Sequence, residues 1–513
     1  MRPISSVSRL SLLIVQIAMA LLFSVIFAST VNAQKRVKLK QADVLRSGID
    51  KEGTKFQRVI GNVIFAQNKT TIYCDSAYFY KTKNAVEAFG RIRITEGDSV
   101  TITGRKLEYD GNTKKAKLRN DVVFTKLATS TLYTDFLDYD RPANKANYFN
   151  GGKLVDSINV LVSNKGWYNL TNNMASFKKD VHVKNPDYTM TSDSLEYNSK
   201  TKVIFFRTPT TVVNNDSSVF VYNGGQHNTS TKRAELEEGK GESLDYRIRS
   251  QAYQLDGIRK IYKLRGDVVM TSKKENLIIY GQATDYYKTL GISKVYNHAY
   301  AAKITDNSDT LFISADTLVS VENVDPTKKR LLAYHNVRIF KNDLQGIADS
   351  LEYRESDSTI YMYRGPVLWT EGNQMTADSI HMLLKNKTIE KIFMNVNSFV
   401  ISQDSLLNFN QIKGRKMTAE FKDSQINRVF VEGNGESLYF MLKEKEEGAV
   451  GMNKIICSKI LIRFKQGKLD NMSFYVQPDA SFIPPHEIKK EDLTLKGFVW
   501  KPDKKPTRGD VIR

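Results

Sequence analysis

Beyond about residue 55 the chain alternates between apolar and polar side chains. The pattern is plain in Gly61-Asn62-Val63-Ile64-Phe65, Gly90-Arg91-Ile92-Arg93-Ile94 and Asp180-Val181-His182-Val183-Lys184. It returns in Gly266-Asp267-Val268-Val269-Met270 and Asn336-Val337-Arg338-Ile339-Phe340. A period of two predicts a strand with one buried face. Ile92 and Ile94 then point one way, and Arg91 and Arg93 the other. The Gly, Asn or Asp that opens each stretch reads as a turn residue. No segment after the first 33 residues combines a helical period with caps.

A second phrase lies between these stretches: a small or acidic residue, a hydrophobic, a polar, and an aromatic that ends the strand. It occurs as Asp75-Ser76-Ala77-Tyr78-Phe79, Arg105-Lys106-Leu107-Glu108-Tyr109 and Asp135-Phe136-Leu137-Asp138-Tyr139. Asn164-Lys165-Gly166-Trp167-Tyr168 and Asp193-Ser194-Leu195-Glu196-Tyr197 continue it. Phe79, Tyr109, Tyr139, Tyr168 and Tyr197 follow one another at intervals of 30, 30, 29 and 29 residues. A fixed period of this size marks a repeat architecture. Polar turns follow the aromatics, as in Asp110-Gly111-Asn112-Thr113, so one repeat is two strands joined by short loops. Looser copies come later, among them Glu242-Ser243-Leu244-Asp245-Tyr246, Asp349-Ser350-Leu351-Glu352-Tyr353 and Glu436-Ser437-Leu438-Tyr439-Phe440.

The expected fold class is all-β: repeated antiparallel strands whose apolar faces pair face to face or close on themselves. From Tyr197 to Tyr246 the interval is 49, and Asn223 to Lys240 is polar. The expectation is a first module over 34–225, a polar junction at 226–240 and a second module over 241–483. Residues 484–513 are rich in Pro and Lys and are expected to be loosely ordered.

Composition changes the picture in one respect. Lys and Arg number 76 against 56 Asp and Glu, a formal charge of +20. The beginning of the chain decides where that charge acts. Arg2 and Arg9 precede an apolar run from Leu10 to Ala28, and Val31-Asn32-Ala33 supplies small residues before Gln34. Residues 1–33 read as a secretory signal cleaved before Gln34, the other reading being a retained anchor. Export turns the expectation away from nucleic acid and toward anionic lipid, polysaccharide or glycolipid phosphate, beside the plainer reading of a solvated basic face. Two cysteines, Cys74 and Cys457, near opposite ends of the mature chain, are expected as thiols rather than a bridge.

The Gly-x-Val-x-apolar strand followed by Asp-Ser-Leu-x-Tyr resembles the OstA/LptA superfamily. The resemblance is carried by Gly61 to Phe79, Gly90 to Tyr109, Asp121 to Tyr139, Asp180 to Tyr197 and Gly266 to Tyr286, and extends over most of 55–465. In its long multi-repeat form the chain looks like the OstA-like proteins of the Bacteroidetes group, related to the N-terminal domain of LptD. The resemblance implies an elongated open β-jelly-roll of two consecutive modules that holds lipopolysaccharide acyl chains in an apolar groove in the periplasm or at the outer membrane. It also implies sister transport proteins or further copies joined by edge-strand pairing. The chain departs from LptD in having no long barrel-forming region after the repeats, and from short LptA proteins in its length. The candidate groove lining is Val63, Phe65, Ile92, Ile94, Ile102, Phe124, Val181 and Val183. Lys and Arg at the groove mouth would pair with phosphate.

Other chemistries find little support. The six histidines have no metal-ligand spacing, and no hydrolase or phosphate-cradling motif occurs. Neither cofactor nor metal is expected. The recurring Asp of the Asp-Ser phrase is a poor catalytic carboxylate, because a catalytic pair need occur only once. The reading is therefore not an enzyme. A membrane β-barrel and a structural or polysaccharide-binding scaffold at the cell envelope stay open as rivals.

Overall fold

The computed structural model describes residues 36–512 apart from 98–99, 127–129, 275, 305–308, 386–387, 423–424, 444–447 and 466–467. The leader falls outside the described residues. Two short strands, β1 (Lys38–Gln41) and β2 (Val44–Ile49), lead into a run of long ones. These are β3 (Lys55–Gln67), β4 (Thr70–Tyr80), β5 (Ala85–Glu96), β6 (Val100–Asp110), β7 (Lys115–Lys126) and β8 (Ser130–Asp140). From β3 to β8 each strand pairs antiparallel with the next. The fold is all-β and antiparallel, of the jelly-roll type that the alternation predicts.

The strands are longer than the sequence suggests, for a specific reason. Gly61, Gly90, Asn120-Asp121 and Gly266-Asp267 do not open strands. They sit in the middle of one, where the register shifts by a residue: between Ile60 and Val63, Phe89 and Ile92, Arg119 and Val122, and Arg265 and Val268. Each is a β-bulge. A bulge and a tight turn recruit the same residues, those that tolerate positive φ, so sequence alone does not separate them. Gly90 has φ +94, Asn120 +64 and Asp121 +51.

The chain divides into two compact units at Phe177/Lys178. Residues 226–240, expected as a junction, belong to a regular hairpin of Val219–Asn228 with Arg233–Glu242 inside the second unit. The 49-residue interval is not a break in the repeat. His227 lies 30 residues after Tyr197, at the periodic aromatic position, and its ring meets Tyr188 edge-on at 5.2 Å. Tyr246, by contrast, begins a strand (Tyr246–Asp256), and Leu244 of the apparent motif copy is 72% exposed. Those letters matched a hairpin turn.

The C-terminal segment is not loose. Leu495 packs with Phe399, Ile401, Leu438, Phe440 and Met452, and Phe498 and Trp500 join the same cluster. Gln374, Ile401, Gln411 and Leu438 are successive cross-strand partners and share one face of the ladder. The segment covers that face. Fully buried Gln374 donates to Val499 O at 2.7 Å and accepts from Lys501 N at 2.7 Å. Gln411 does the same with Leu493 O and Leu495 N, both at 2.8 Å. Further along, Val511 packs on Ala302 and Phe312. Pro and Lys dominate the composition of 484–513, but a few spaced apolar anchors decide its position.

Two outcomes are expected. Burial holds the His227 imidazole pKa down to about 4. The folded state therefore resists the proton that the unfolded state takes up below its ordinary value. Stability is full above about pH 6.5 and falls as pH drops toward 4, by roughly 3 kcal/mol in all. In thermal melts against pH, His227→Phe should remove much of that slope. Leu495→Asp places a charge where about 2–3 kcal/mol of apolar burial was. It should make 484–513 quickly cleavable by trypsin while the rest of the second unit stays resistant.

Candidate functional site

In the first unit the bulges, on β3, β5 and β7, mark a line that divides each long strand into two halves. Because neighbouring strands run antiparallel, the first halves of β3, β5 and β7 join the second halves of β4, β6 and β8 in one leaf of a folded sheet, and the remaining halves form the other. The leaves pack on each other: Phe65 and Phe79, on opposite leaves, have ring centroids 5.3 Å apart, and Phe124 and Tyr139 6.2 Å apart.

The candidate residues lie on the inner faces. Val63, Phe65, Ile92, Ile94, Ile102 and Phe124 belong to the second leaf of the first unit, and none exceeds 4% exposure. Val181 and Val183 are equally buried but fall in the second unit. Phe65, Ile94, Ile102 and Phe124 join a single cross-strand row that runs Phe65, Ile72, Ile94, Ile102, Phe124, Leu132, Leu154, Leu161. Sequence reasoning missed Ile72, Leu132, Leu154 and Leu161. Ile72 and Leu132 do alternate with polar neighbours, but they follow hairpin turns and so lack the Gly or Asp that flagged the others. The facing leaf supplies Phe79, Leu107, Tyr109, Leu118, Leu137 and Tyr139, all buried. Arg91 and Arg93 point outward, as the alternation predicts.

The bulges align into a spine, and the repeated Asp serves it. Asp75 Oδ2 accepts from the backbone N–H of Arg91 at 2.9 Å, and its carboxylate also takes the guanidinium at 3.1 Å. Asp135 accepts from Asp121 N at 3.0 Å, Asp43 from Asn62 Nδ2 at 3.0 Å, Asp316 from Asn336 Nδ2 at 2.8 Å and Asp378 from Asn397 Nδ2 at 3.1 Å. The bulge hydrogen bonds and the Arg91 cation hold the Asp75 carboxyl below its usual range. Beside the spine lies a cleft of about 610 Å³ bordered by Arg91, Arg93, Arg105, Asp75 and Asp121, and touching Val63 and Ile92. Arg105 is tied to Asp121 at 3.1 Å, and Arg93 lies over the Tyr73 ring at 5.8 Å.

Opposite the spine the hairpin ends of the two leaves meet in a seam. Tyr109 donates to Gln67 Oε1 at 2.5 Å, and Gln67 donates to Gly111 O at 2.7 Å. One repeat on, Tyr139 donates to Glu96 Oε2 at 2.8 Å, and Arg141 Nε to Glu96 Oε1 at 2.5 Å. One repeat further, Lys126 donates to Asn173 Oδ1 at 2.8 Å and to Leu170 O, with its ammonium over the Tyr168 ring. Burial pushes the Tyr109 hydroxyl up to about 12 and lowers the pKa of Lys126. Among the described residues both cysteines are free and buried, and burial raises the Cys74 thiol to about 12, well away from reactivity.

A folded sheet with an apolar interior, a bulged spine and a polar seam defines a β-jelly-roll. Residues 34–193 match the family model described as OstA-like protein. Among solved structures the chain is similar to LptH of Pseudomonas aeruginosa, the LptA-homologous periplasmic component of its lipopolysaccharide transport device. That likeness has 15% identity and a TM-score of 0.21, covering 23% of this chain and 82% of that one. No curated protein gives a match.

The spine makes its own prediction. A Cβ at Gly90 would fall 2.3 Å from Asp75 Oδ2, at a φ that L-residues avoid. Gly90→Ala should destabilise the first unit by about 1–3 kcal/mol. A lowered melting midpoint, read by a tryptophan or proteolysis probe in that unit, checks it.

Proposed function

We propose that this chain is a non-enzymatic glycolipid carrier of the cell envelope that holds acyl chains of lipopolysaccharide or a related lipid between the leaves of its β-jelly-roll. The observation that carries the reading is the unbroken apolar row from Phe65 to Leu161, faced by a second apolar leaf. Transfer of about twelve methylenes from water into such an interior is worth roughly 10 kcal/mol. That is enough to offset the reordering of a handful of side chains. The OstA-like match of 34–193 supports the same reading, as does the basic balance of the chain. The recurring Asp residues, which would otherwise suggest carboxylate catalysis, are occupied at the bulges.

The proposal extends to location and partners. An exported chain, in the periplasm or on the inner face of the outer membrane of a Gram-negative bacterium, would meet this lipid. At the edge of the first unit β1 and β2 each have β3 as their one strand partner among the described residues. Leu45 and Ile49 are exposed there. Such an edge suits strand addition by a sister transport protein or a second copy.

A second reading has one observation in its favour: the interior of the first unit is packed, with every candidate residue buried. A structural or polysaccharide-binding scaffold would look the same. A photo-crosslinking residue at position 94 separates the two. Under the carrier reading it forms an adduct with lipopolysaccharide, and the same residue at outward-facing position 93 does not. Equal adducts at both positions, or none at either in folded protein with lipid present, would favour the scaffold.

A further inference from the structure

The interior of the first unit is full, so a ligand can reach it only if a boundary moves. The boundaries differ in what holds them. Within each leaf, neighbouring strands are joined by backbone ladders along their length. At the spine the chain itself passes from leaf to leaf through every bulge. At the seam the described contacts are side-chain ones: Gln67 with Tyr109 and Gly111, Glu96 with Tyr139 and Arg141, Lys126 with Tyr168, Leu170 and Asn173.

These closures repeat with the chain. Gln67, Glu96 and Lys126 follow one another at 29 and 30 residues, and Tyr109, Tyr139 and Tyr168 at 30 and 29. Each pairs the end of one leaf with the end of the other, about one and a half repeats along. Each is polar where the rows behind it are apolar. The spine, with its bulges and residues at positive φ, is the place where a strand can bend without losing a ladder.

We propose that this seam is the passage through which an acyl chain enters the first unit, and that the Gln67, Glu96 and Lys126 closures are the contacts that open and reseal it. Resting on the carrier reading above, it says where the ligand crosses. The middle closure also bears on ligand chemistry. Arg141 and Glu96 are a half-buried pair, their side chains 16% and 22% exposed. Arg141 Nη1 is buried without a hydrogen-bond partner. An anionic phosphate arriving at the seam presents oxygens to Arg141 in place of Glu96 and uses that spare donor. A phosphorylated acyl lipid then opens the seam more readily than the same acyl chain on a neutral head.

The test fastens the seam reversibly. Glu96→Cys and Arg141→Cys, in a Cys74→Ser, Cys457→Ser background, are joined by a bismaleimide whose spacer contains a disulfide. The photo-crosslinking residue at position 94 reports arrival of purified lipopolysaccharide from mixed micelles. The expected result is adduct formation at least tenfold slower with the seam fastened, restored by reductant, with circular dichroism unchanged. Equal rates fastened and released would overturn the seam as the passage while leaving the carrier reading intact. No adduct in either state would overturn both. Should the cysteine pair not fold, Tyr109→Phe with Tyr139→Phe loosens two closures without crosslinking. Faster adduct formation is then expected, and an unchanged or slower rate counts against the seam. Dephosphorylated lipid, compared on protein that keeps Glu96 and Arg141 and carries only the photo-crosslinking residue at position 94, is expected to form adduct more slowly, and equal rates would overturn the role given to Arg141.

Discussion

The structure of the first unit depends on one local event: an extra residue in the middle of a strand. Without the bulges, strands of 11 to 13 residues would lie in one twisted layer with an apolar face open to water. The extra residue, present in every other strand, bends the sheet and lets the layer fold over, so that one apolar face becomes two facing ones. The bend needs a residue that accepts positive φ and a neighbour that stabilises it. Gly90 with Asp75, and Asp121 with Asp135, supply both. The recurring Asp of the repeat is thus a structural residue. Its carboxylate accepts the backbone or side-chain donors that the bulge removes from the ladder.

Folding over has a consequence for everything inside. Phe65, Ile94, Ile102 and Phe124 can line up in a row because the bulges keep the same phase from strand to strand. A one-residue slip would send the row outward. The aromatic that ends each repeat is then carried to the opposite leaf edge, where its ring closes the core and, in Tyr109 and Tyr139, its hydroxyl closes the seam. In the second unit the same position tolerates His227, because a neutral imidazole packs on Tyr188 as a ring.

Much of this was legible in the sequence. Alternation located the inner residues: every candidate from Val63 to Val183 is buried, and Arg91 and Arg93 face away. The aromatic period located the repeat. What was not legible has physical reasons. Gly61 and Gly90 read as turns because positive φ serves turns and bulges alike. The repeat reads as broken after Tyr197 because a histidine, His227, does the packing there in place of a phenyl or phenol ring. Glu242 to Tyr246 imitated a motif because turns and bulge clamps draw on the same Ser and Asp. The segment 484–513 looked loose because its charges outnumber its anchors. Two buried glutamines on distant strands, Gln374 and Gln411, receive its backbone, a pairing over more than 80 residues that no local pattern announces. The seam was invisible for the same reason: Gln67 and Tyr109 are unremarkable until folding sets them side by side.

The chemistry of that seam suits the proposed demand that it close and still reopen. An apolar closure would be an extension of the core, and parting it would expose hydrocarbon at about 25 cal/mol for each Å². A polar closure exchanges one hydrogen bond for another with water, a net difference of only about 0.5–1.5 kcal/mol per bond. The half-buried Glu96–Arg141 pair is nearer balance still, since desolvation offsets much of its attraction. Lys126, its pKa lowered by burial, gives up little when its ammonium returns to solvent. Polar closures thus confine the large apolar term to the interior, where, under the proposed carrier role, an acyl chain would replace one leaf as the partner of the other. The core residues hold the leaves together until such a partner arrives, and the edges add little to the barrier when it does.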